Sequence, residues 1–563
     1  MTVVADPPVV RRSPSVSDAR AATAGALGAA VALGTSELVA AFGSSLPRLV
    51  PAVGDLVVDA SPGDATQVAI EAFGTADKPL LLGGIVLTSL VIGALLGRAS
   101  VERRWVGPVG FAAFGLLGVW AGAQAVGASL VGAVVVAALA AGAGIGTLAL
   151  LLAAADGRLA AGWHRFVGTG QLRSPAPPGR PGDVSTVPAS AGEDRPGPPP
   201  GPIEWPTDPS SSRRAFLGAA GVAAVAAGGA ALGGRALRGR STVETARAAI
   251  VLPPADLGPQ APLPPGFDIE GLAPLQTPND AFYRIDTALT LPQVDPAGWR
   301  VRIDGLVDEP FELTFDELSA LPLVERSVTI ACVSNEVGGR LVGNATWLGV
   351  PLVDLLDRAG VRPEAAQVVG RSVDDFTAGF PLDHLRSEHP ALVAIGMNGE
   401  PLPVRHGFPA RLVVSGLYGY VSATKWLSSI ELTTWDGFDG YGIPRGWSKE
   451  AAIKTQSRID VPRSGRSLVA GTQPIAGVAW APGRGIRRVE VRVDDGPWLD
   501  AELSDPVSDD TWRQWLVRWD APPGDHTITV RATDGTGDTQ TEQYSDPPPD
   551  GATGWHSVSV SVA

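Results

Sequence analysis

One cysteine, Cys332, stands in a chain of 563 residues. A single thiol excludes an intramolecular disulfide, a CxxC redox pair, a Cys-rich zinc site and a cysteine-ligated iron–sulfur cluster. Charge is scarce too: 18% of residues are charged against 45% hydrophobic, and the net charge is -14. That acidic balance argues against a nucleic-acid binder, which needs a basic face for phosphates. The six histidines, at 164, 384, 389, 406, 526 and 556, all fall outside the long apolar runs, which excludes a bis-histidine haem within them. Glycine (69) and proline (50) together make about a fifth of the chain, short of a collagen-like or low-complexity composition. The length exceeds one domain, so two or more folding units are expected.

What is abundant is apolar sequence near the start. Residues 105–155 lack any charged side chain, a stretch of roughly 77 Å as helix at ~1.5 Å per residue. A ~30 Å hydrocarbon core cannot use that length in one crossing, so a break is expected around 122–129. Further runs cover 80–97, 21–43 (which carries Glu37) and 215–234. The expected organisation is a cytoplasmic N-terminus over 1–20 and a four-span membrane bundle over 21–156. A Pro/Gly-rich cytoplasmic linker over 157–212 and a fifth span over 213–236 follow. Arg11, Arg12 and Arg20, then Arg98, Arg103 and Arg104, then Arg158, Arg165, Arg173 and Arg213 mark the cytoplasmic side. The intervening loop, 44–78, holds Asp55, Asp59, Asp64, Glu71 and Asp77 against Arg48 and Lys78, as an external loop would. This places a multi-pass protein in the plasma membrane with its C-terminal part on the extracytoplasmic side. The fifth span opens SRRAFLG at 212–218, which resembles a twin-arginine export signal; paired arginines flanking any span would look the same.

From about residue 262 the sequence is that of a globular protein, with eleven of the fifteen tryptophans at or beyond Trp299. Residues 301–305 alternate as a strand entering a turn, Thr314 and Glu317 form a capping pattern, and Leu352, Leu355 and Leu356 line one helical face. An α+β unit is expected over 262–454. An all-β module is expected over 455–563, where 489–493 alternates into the turn Asp494-Asp495-Gly496. Cys332 ends a β-branched run and opens a turn-rich stretch, a place where either a buried small hydrophobe or a reactive ligand sits.

Three segments then resemble the sulfite oxidase family of molybdenum-cofactor enzymes, over roughly 274–563. They are QTPNDAFYRID at 276–286, the Cys332 loop running to TWLGVPL at 346–352, and MNGEPLPVRHGFPAR at 397–411 continuing to Lys425. The resemblance implies that the α-helical membrane bundle expected from the apolar runs is followed by an α+β sulfite-oxidase-like molybdopterin domain and an immunoglobulin-like C-terminal domain that dimerises. It implies Cys332 as the catalytic residue and molybdenum ligand, a soft anionic donor for a soft-ligated metal. Arg411 and Lys425 match the family's phosphate contacts and His406 its pterin contact. Asn279, Asp280, Phe282, Tyr283, Asp374, Ala423 and Thr424 match further cofactor contacts.

Departures from the family concern the substrate. Where sulfite oxidases place arginines to hold the sulfite dianion, this chain has Pro278 and Glu336-Val337, so sulfite itself is disfavoured and a neutral, organic or other sulfur-containing substrate is expected. No haem is expected in the chain, so electrons would pass to a separate protein or quinone-linked carrier. Two other readings stay open. One is a non-catalytic membrane-anchored binding or adhesion protein that keeps the fold; the other is a cysteine hydrolase or transpeptidase with Cys332 as nucleophile and His406 as base.

Overall fold

Among the described residues, five helices are long and apolar enough to cross a membrane: Asp18–Phe42, Lys78–Glu102, Val106–Gln124, Leu130–Ala155 and Arg213–Leu237. They belong to a computed structural model that describes residues 16–43, 45–61, 77–125, 128–156, 209–238, 242–256, 262–386 and 389–563. The expected cytoplasmic stretch 1–20 lies outside the described residues up to residue 15, and the expected linker up to 208. Arg11, Arg12, Arg158, Arg165 and Arg173 fall in those stretches. The chain divides into a helical unit and a β-rich unit, the latter holding Arg238–Ala563.

The helices are α1 (Asp18–Val39), α2 (Leu49–Ala60), α3 (Asp77–Glu102), α4 (Val106–Gln124), α5 (Leu130–Ala155), α6 (Pro209–Arg238) and α7 (Thr242–Ala249). The long uncharged run breaks where its small and polar residues collect, and Ser129 caps the second piece by accepting the Gly132 N–H at 2.9 Å. In the helical unit, side-chain size and burial run opposite to the usual order. Ala21, Ala24, Ala133, Ala137 and Ala154 are buried, while Leu87, Leu116, Val131, Val225 and Leu232 are exposed. Small residues let backbones meet: a β-carbon on Gly25 would lie 1.9 Å from the Gly93 carbonyl oxygen, and one on Gly97 would lie 2.1 Å from that of Ala21. Glu37, the acidic residue inside the first apolar run, is paired with Arg48 at 3.0 Å.

Two helices correct the sequence reading. α2 lies in the segment expected to be a loop; Leu49, Val53 and Leu56 follow helical spacing, and Pro51 sits in the first turn, where its missing N–H does no harm. α7 was not foreseen; Val243 on it is buried in a core with Phe282, Trp347 and Phe408.

In the β-rich unit the strands β1 (Arg300–Gly305), β2 (Phe311–Thr314), β3 (Val324–Ala331), β4 (Val342–Pro351), β5 (Gln367–Ser372), β6 (Thr377–Pro381), β7 (Ala391–Met397), β8 (Glu400–Pro401), β9 (Arg411–Val414) and β10 (Leu427–Thr433) form two sheets. One is ordered β2-β1-β10-β5-β6; the other is β3-β4-β7-β8, with β9 paired to β7. The expected capping box is present, Glu317 N–H to Thr314 Oγ1 at 3.1 Å and Thr314 N–H to Glu317 Oε2 at 2.8 Å, and starts the short helix Phe315–Ser319. The helix Leu352–Ala359 buries the expected leucine face.

The C-terminal strands are β11 (Gln456–Val461), β12 (Arg466–Leu468), β13 (Gly471–Trp480), β14 (Ile486–Val493), β15 (Leu499–Asp500), β16 (Glu502–Leu503), β17 (Arg513–Ala521), β18 (Gly524–Asp534) and β19 (His556–Val562). They make the sheets β11-β13-β17-β16 and β12-β19-β18-β14-β15. Ile475, Trp515 and Val517 from the first share one core with Val489, Val530 and Val560 from the second, so the two sheets pack face to face.

Candidate active site

Candidate residues sit where strands end. Cys332 directly follows β3, 8% exposed, its N–H donating to the Leu341 carbonyl at 2.9 Å and its carbonyl accepting from the Asn335 N–H at 3.1 Å. Asn335 Oδ1 accepts the Leu341 N–H at 2.7 Å and closes the loop. Burial raises the thiol pKa, while hydrogen bonds from Ser334 and the charge of Lys425 pull it back.

Two cations leave the backbone against one glycine. A β-carbon on Gly407 would lie 3.0 Å from the Lys425 β-carbon and 3.1 Å from that of Arg411. Arg411 begins β9, is 4% exposed, donates from Nη1 to the His406 carbonyl at 3.1 Å and lies 5.0 Å from the Trp347 ring centre. Among the described residues no acidic side chain pairs with it. Burial lowers its pKa to about 10. Lys425, just before β10, donates at 2.9 Å to both the Ile285 carbonyl and Asp286 Oδ2. Burial lowers its pKa to about 8, opposed by Asp286 and reinforced by Arg411. Burial alone would raise the pKa of Asp286, but Lys425 and Arg284 outweigh it and hold the carboxyl well below the usual range.

His406 is 1% exposed and hydrogen-bonds through Nε2 to the Asn279 carbonyl at 2.9 Å. A carbonyl only accepts, so Nε2 carries the proton and Nδ1 is left as an acceptor. Burial drives its pKa to about 3, with Arg411, Arg405 and Lys425 adding to the fall, so the ring is neutral at physiological pH. Phe282 meets the His406 ring edge to face at 5.6 Å, meets Trp347 at 5.9 Å and stacks on Tyr283 at 5.3 Å. Burial and the neighbouring Cys332 push the Tyr283 phenol far up, against the pull of Arg411.

Asp374 occupies the turn between β5 and β6. Its Oδ2 is buried without a hydrogen-bond partner and burial raises its pKa. Thr424 is fully buried, donating to the Gly370 carbonyl at 3.4 Å, and Ala423 closes the short helix Gly419–Ser422. Asn279 turns its amide toward Asn398, Met397 and Glu400. Asp280 is exposed and lines a polar cavity of about 630 Å³ with Arg247, Asn398 and Arg405, a set that does not include Cys332.

The donor set suits a cofactor that joins a soft metal to an anionic tail: a buried thiol, a buried guanidinium lacking an anion, a lysine and an unpartnered carboxylate oxygen. Residues 288–441 match the family model described as oxidoreductase molybdopterin binding domain. Mitochondrial sulfite oxidase of Homo sapiens is 30% identical over 300 residues, 45% of this chain and 55% of that protein. The uncharacterized oxidoreductase YuiH of Bacillus subtilis (strain 168) is 39% identical over 139 residues, 25% of this chain and 67% of that protein. The chain belongs to the sulfite oxidase family of molybdopterin-dependent oxidoreductases. It spans about half the length of the curated sulfite oxidases it matches. Among solved structures, the sulfane dehydrogenase SoxCD from Paracoccus pantotrophus is 25% identical with a TM-score of 0.42, over 48% of this chain and 75% of that one.

In this member of the sulfite oxidase family, Pro278, Glu336 and Arg340 are exposed and Val337 is half-buried. Three residues about the site escaped the sequence reading. Asp286 ends the 276–286 segment, yet nothing in the sequence pairs it with Lys425. Tyr418, whose phenol is pushed up to about 12 by burial with Cys332 among the contributors, carried no signal. Asn398 adopts a positive φ of 53° and bonds Thr277, Asn279, Gln276 and Thr346; the Asn-Gly pair at 398–399 was the available sign.

Proposed function

We propose that this chain is a membrane-anchored molybdenum-cofactor oxidoreductase that transfers an oxygen atom to or from a small neutral or sulfur-containing substrate. When bound, the cofactor supplies a two-electron oxo-transfer centre. The observation that carries the reading is Arg411, a buried guanidinium beside Lys425 with no acidic partner among the described residues. Arg411 and Lys425 would hold the phosphate tail, and His406, fixed as a neutral ring, would offer Nδ1 as an acceptor to the pterin. Asn279, Asp280, Phe282, Tyr283, Asp374, Ala423 and Thr424 complete the assigned contacts, with Asp280 the most peripheral. Cys332 would ligate the metal; burial keeps it a thiol, so binding a cation is what draws off its proton.

The substrate assignment rests on charge. Exposed Glu336 and Pro278 stand where the family's sulfite-holding arginines are expected, and neither neutralises a dianion. The anchoring assignment rests on the five apolar helices and their buried alanines and exposed leucines and valines. Arginine placement favours a cytoplasmic N-terminus and an extracytoplasmic catalytic part over 262–454. Residues 455–563 form an immunoglobulin-like module proposed to dimerise, and a separate redox protein or quinone-linked carrier exchanges the electrons.

The test is metal analysis and turnover of full-length protein purified in detergent from molybdate-fed cells. One molybdenum per chain, lost in Cys332→Ser, is expected, with little sulfite oxidation. Metal-free wild-type protein from such cells would sink the enzyme reading, and rapid turnover at low sulfite would sink the substrate assignment.

A further inference from the structure

The turn after Cys332 is held from the far end of the chain. Gly338 has a φ of 74°, and a β-carbon there would lie 2.2 Å from Cδ2 of His556, so the imidazole packs directly on this backbone. One residue on, the Gly339 carbonyl accepts from Nη1 of Arg458 at 3.0 Å. Arg458 is 8% exposed and is aimed by Asp460, whose Oδ1 takes its Nε–H at 2.7 Å. The other Asp460 oxygen accepts the Ala273 N–H at 3.1 Å, shortly before the segment that bears Asn279. His556 is oriented in turn, its Nδ1 accepting the Ile459 N–H at 2.9 Å. A forked guanidinium, its carboxylate and an imidazole, all on β11 and β19, thus grip the turn whose other end is the Cys332 to Asn335 hydrogen bond.

We propose that Arg458, Asp460 and His556 are positioning residues for Cys332: through Gly338 and Gly339 they set where the thiol is held and how far it is shielded. The consequence for metal binding rests on the reading of Cys332 given above; the shielding does not. The C-terminal strands are then part of the site's scaffold as well as a separate core.

The experiment exploits the chain's single thiol. Full-length protein is purified in detergent from cells grown without molybdate, and its alkylation by iodoacetamide is followed by mass. Wild type is expected to react slowly. Arg458→Ala and His556→Ala are expected to react at least tenfold faster while their thermal unfolding stays near wild type, because the grip on the turn is lost. Should Arg458→Ala not fold, Arg458→Lys keeps the charge opposite Asp460 without the fork and is expected to react several-fold faster. His556→Asn, which retains an acceptor for the Ile459 N–H, is expected to restore part of the protection. Rates within twofold of wild type in folded variants would overturn the proposal, as would protection by His556→Asn no better than by His556→Ala. Molybdenum content, measured on protein from molybdate-fed cells, tests the cofactor reading separately.

Discussion

Replacing Arg411 by methionine should have opposite effects on the cofactor-free and cofactor-loaded protein. Arg411 is buried, and its pKa falls from the ordinary 12.5 to about 10. At ~1.4 kcal/mol per unit, that fall is about 3 kcal/mol held against the charged form. Methionine removes this penalty and fills similar space. It forfeits the hydrogen bonds to the His406 and Leu412 carbonyls and the stacking on Trp347, together about 2–3 kcal/mol. The cofactor-free variant should therefore be unchanged or about 1 kcal/mol more stable, where truncating an ordinary buried side chain would lose about 2–5 kcal/mol. The loaded form loses a buried charge-assisted contact to phosphate, about 2–5 kcal/mol, which is at least a thirtyfold weaker hold. Tryptophan-fluorescence melts of the full chain, with and without molybdate feeding, read the first effect; molybdenum per chain after extended dialysis reads the second. A cofactor-free Arg411→Met destabilised by more than about 2 kcal/mol, or a loaded variant that keeps wild-type molybdenum, would refute the reasoning.

Other expectations follow from neighbouring contacts. Gly407→Ala puts a β-carbon 3.0 Å from that of Lys425 at a φ of 110°, and should destabilise by about 1–3 kcal/mol with lower cofactor retention, read by melts and metal content. Lys425 in the cofactor-free protein loses its charge as pH rises through about 8, so protection against unfolding by inorganic phosphate should fade above that pH. Because its folded pKa lies below the ordinary 10.5, the lysine weakens the fold below pH 8, and this is relieved between pH 8 and 10.5; Lys425→Met should flatten that rise in melts taken across the range. Asp286→Asn removes the anion that supports the Lys425 charge, and should move the loss of phosphate protection to lower pH.

Much of the candidate site is legible in order along the chain. Cys332, His406, Arg411 and Lys425 lie in dense motifs, and uncharged runs announce long helices because burial or lipid is the natural surrounding for such lengths. What was not legible depends on partners far away in sequence. Nothing about Gly338 announces His556, and neither Arg458 nor Asp460 sits in a motif. Asp280, adjacent to Asn279, was read with its neighbours, but the turn of chain after Pro278 carries its side chain outward. α2 was obscured by the acidic residues around it, whose charge described the segment's setting and hid its periodicity. α7 is only eight residues long and is held by Val243 and by Arg247 bonding to the Leu402 carbonyl at 2.8 Å; a helix that short owes its form to packing more than to propensity.

Asn398 has a bearing on how this protein ages. It is followed by Gly399, the neighbour that least hinders an asparagine amide from cyclising and hydrolysing to aspartate. Here both amide atoms are fully occupied: Nδ2 donates to the Thr277 carbonyl at 2.9 Å and to Asn279 Oδ1 at 2.7 Å, and Oδ1 accepts from Gln276 and from the Thr346 N–H. While the fold holds, those bonds restrain the amide. Once it is converted, a carboxylate faces two oxygens that can only accept, and the segment bearing Asn279 is pushed from its seat. Storage damage at one surface turn would thus reach the His406 hydrogen bond, and peptide mass mapping of aged protein would register the change.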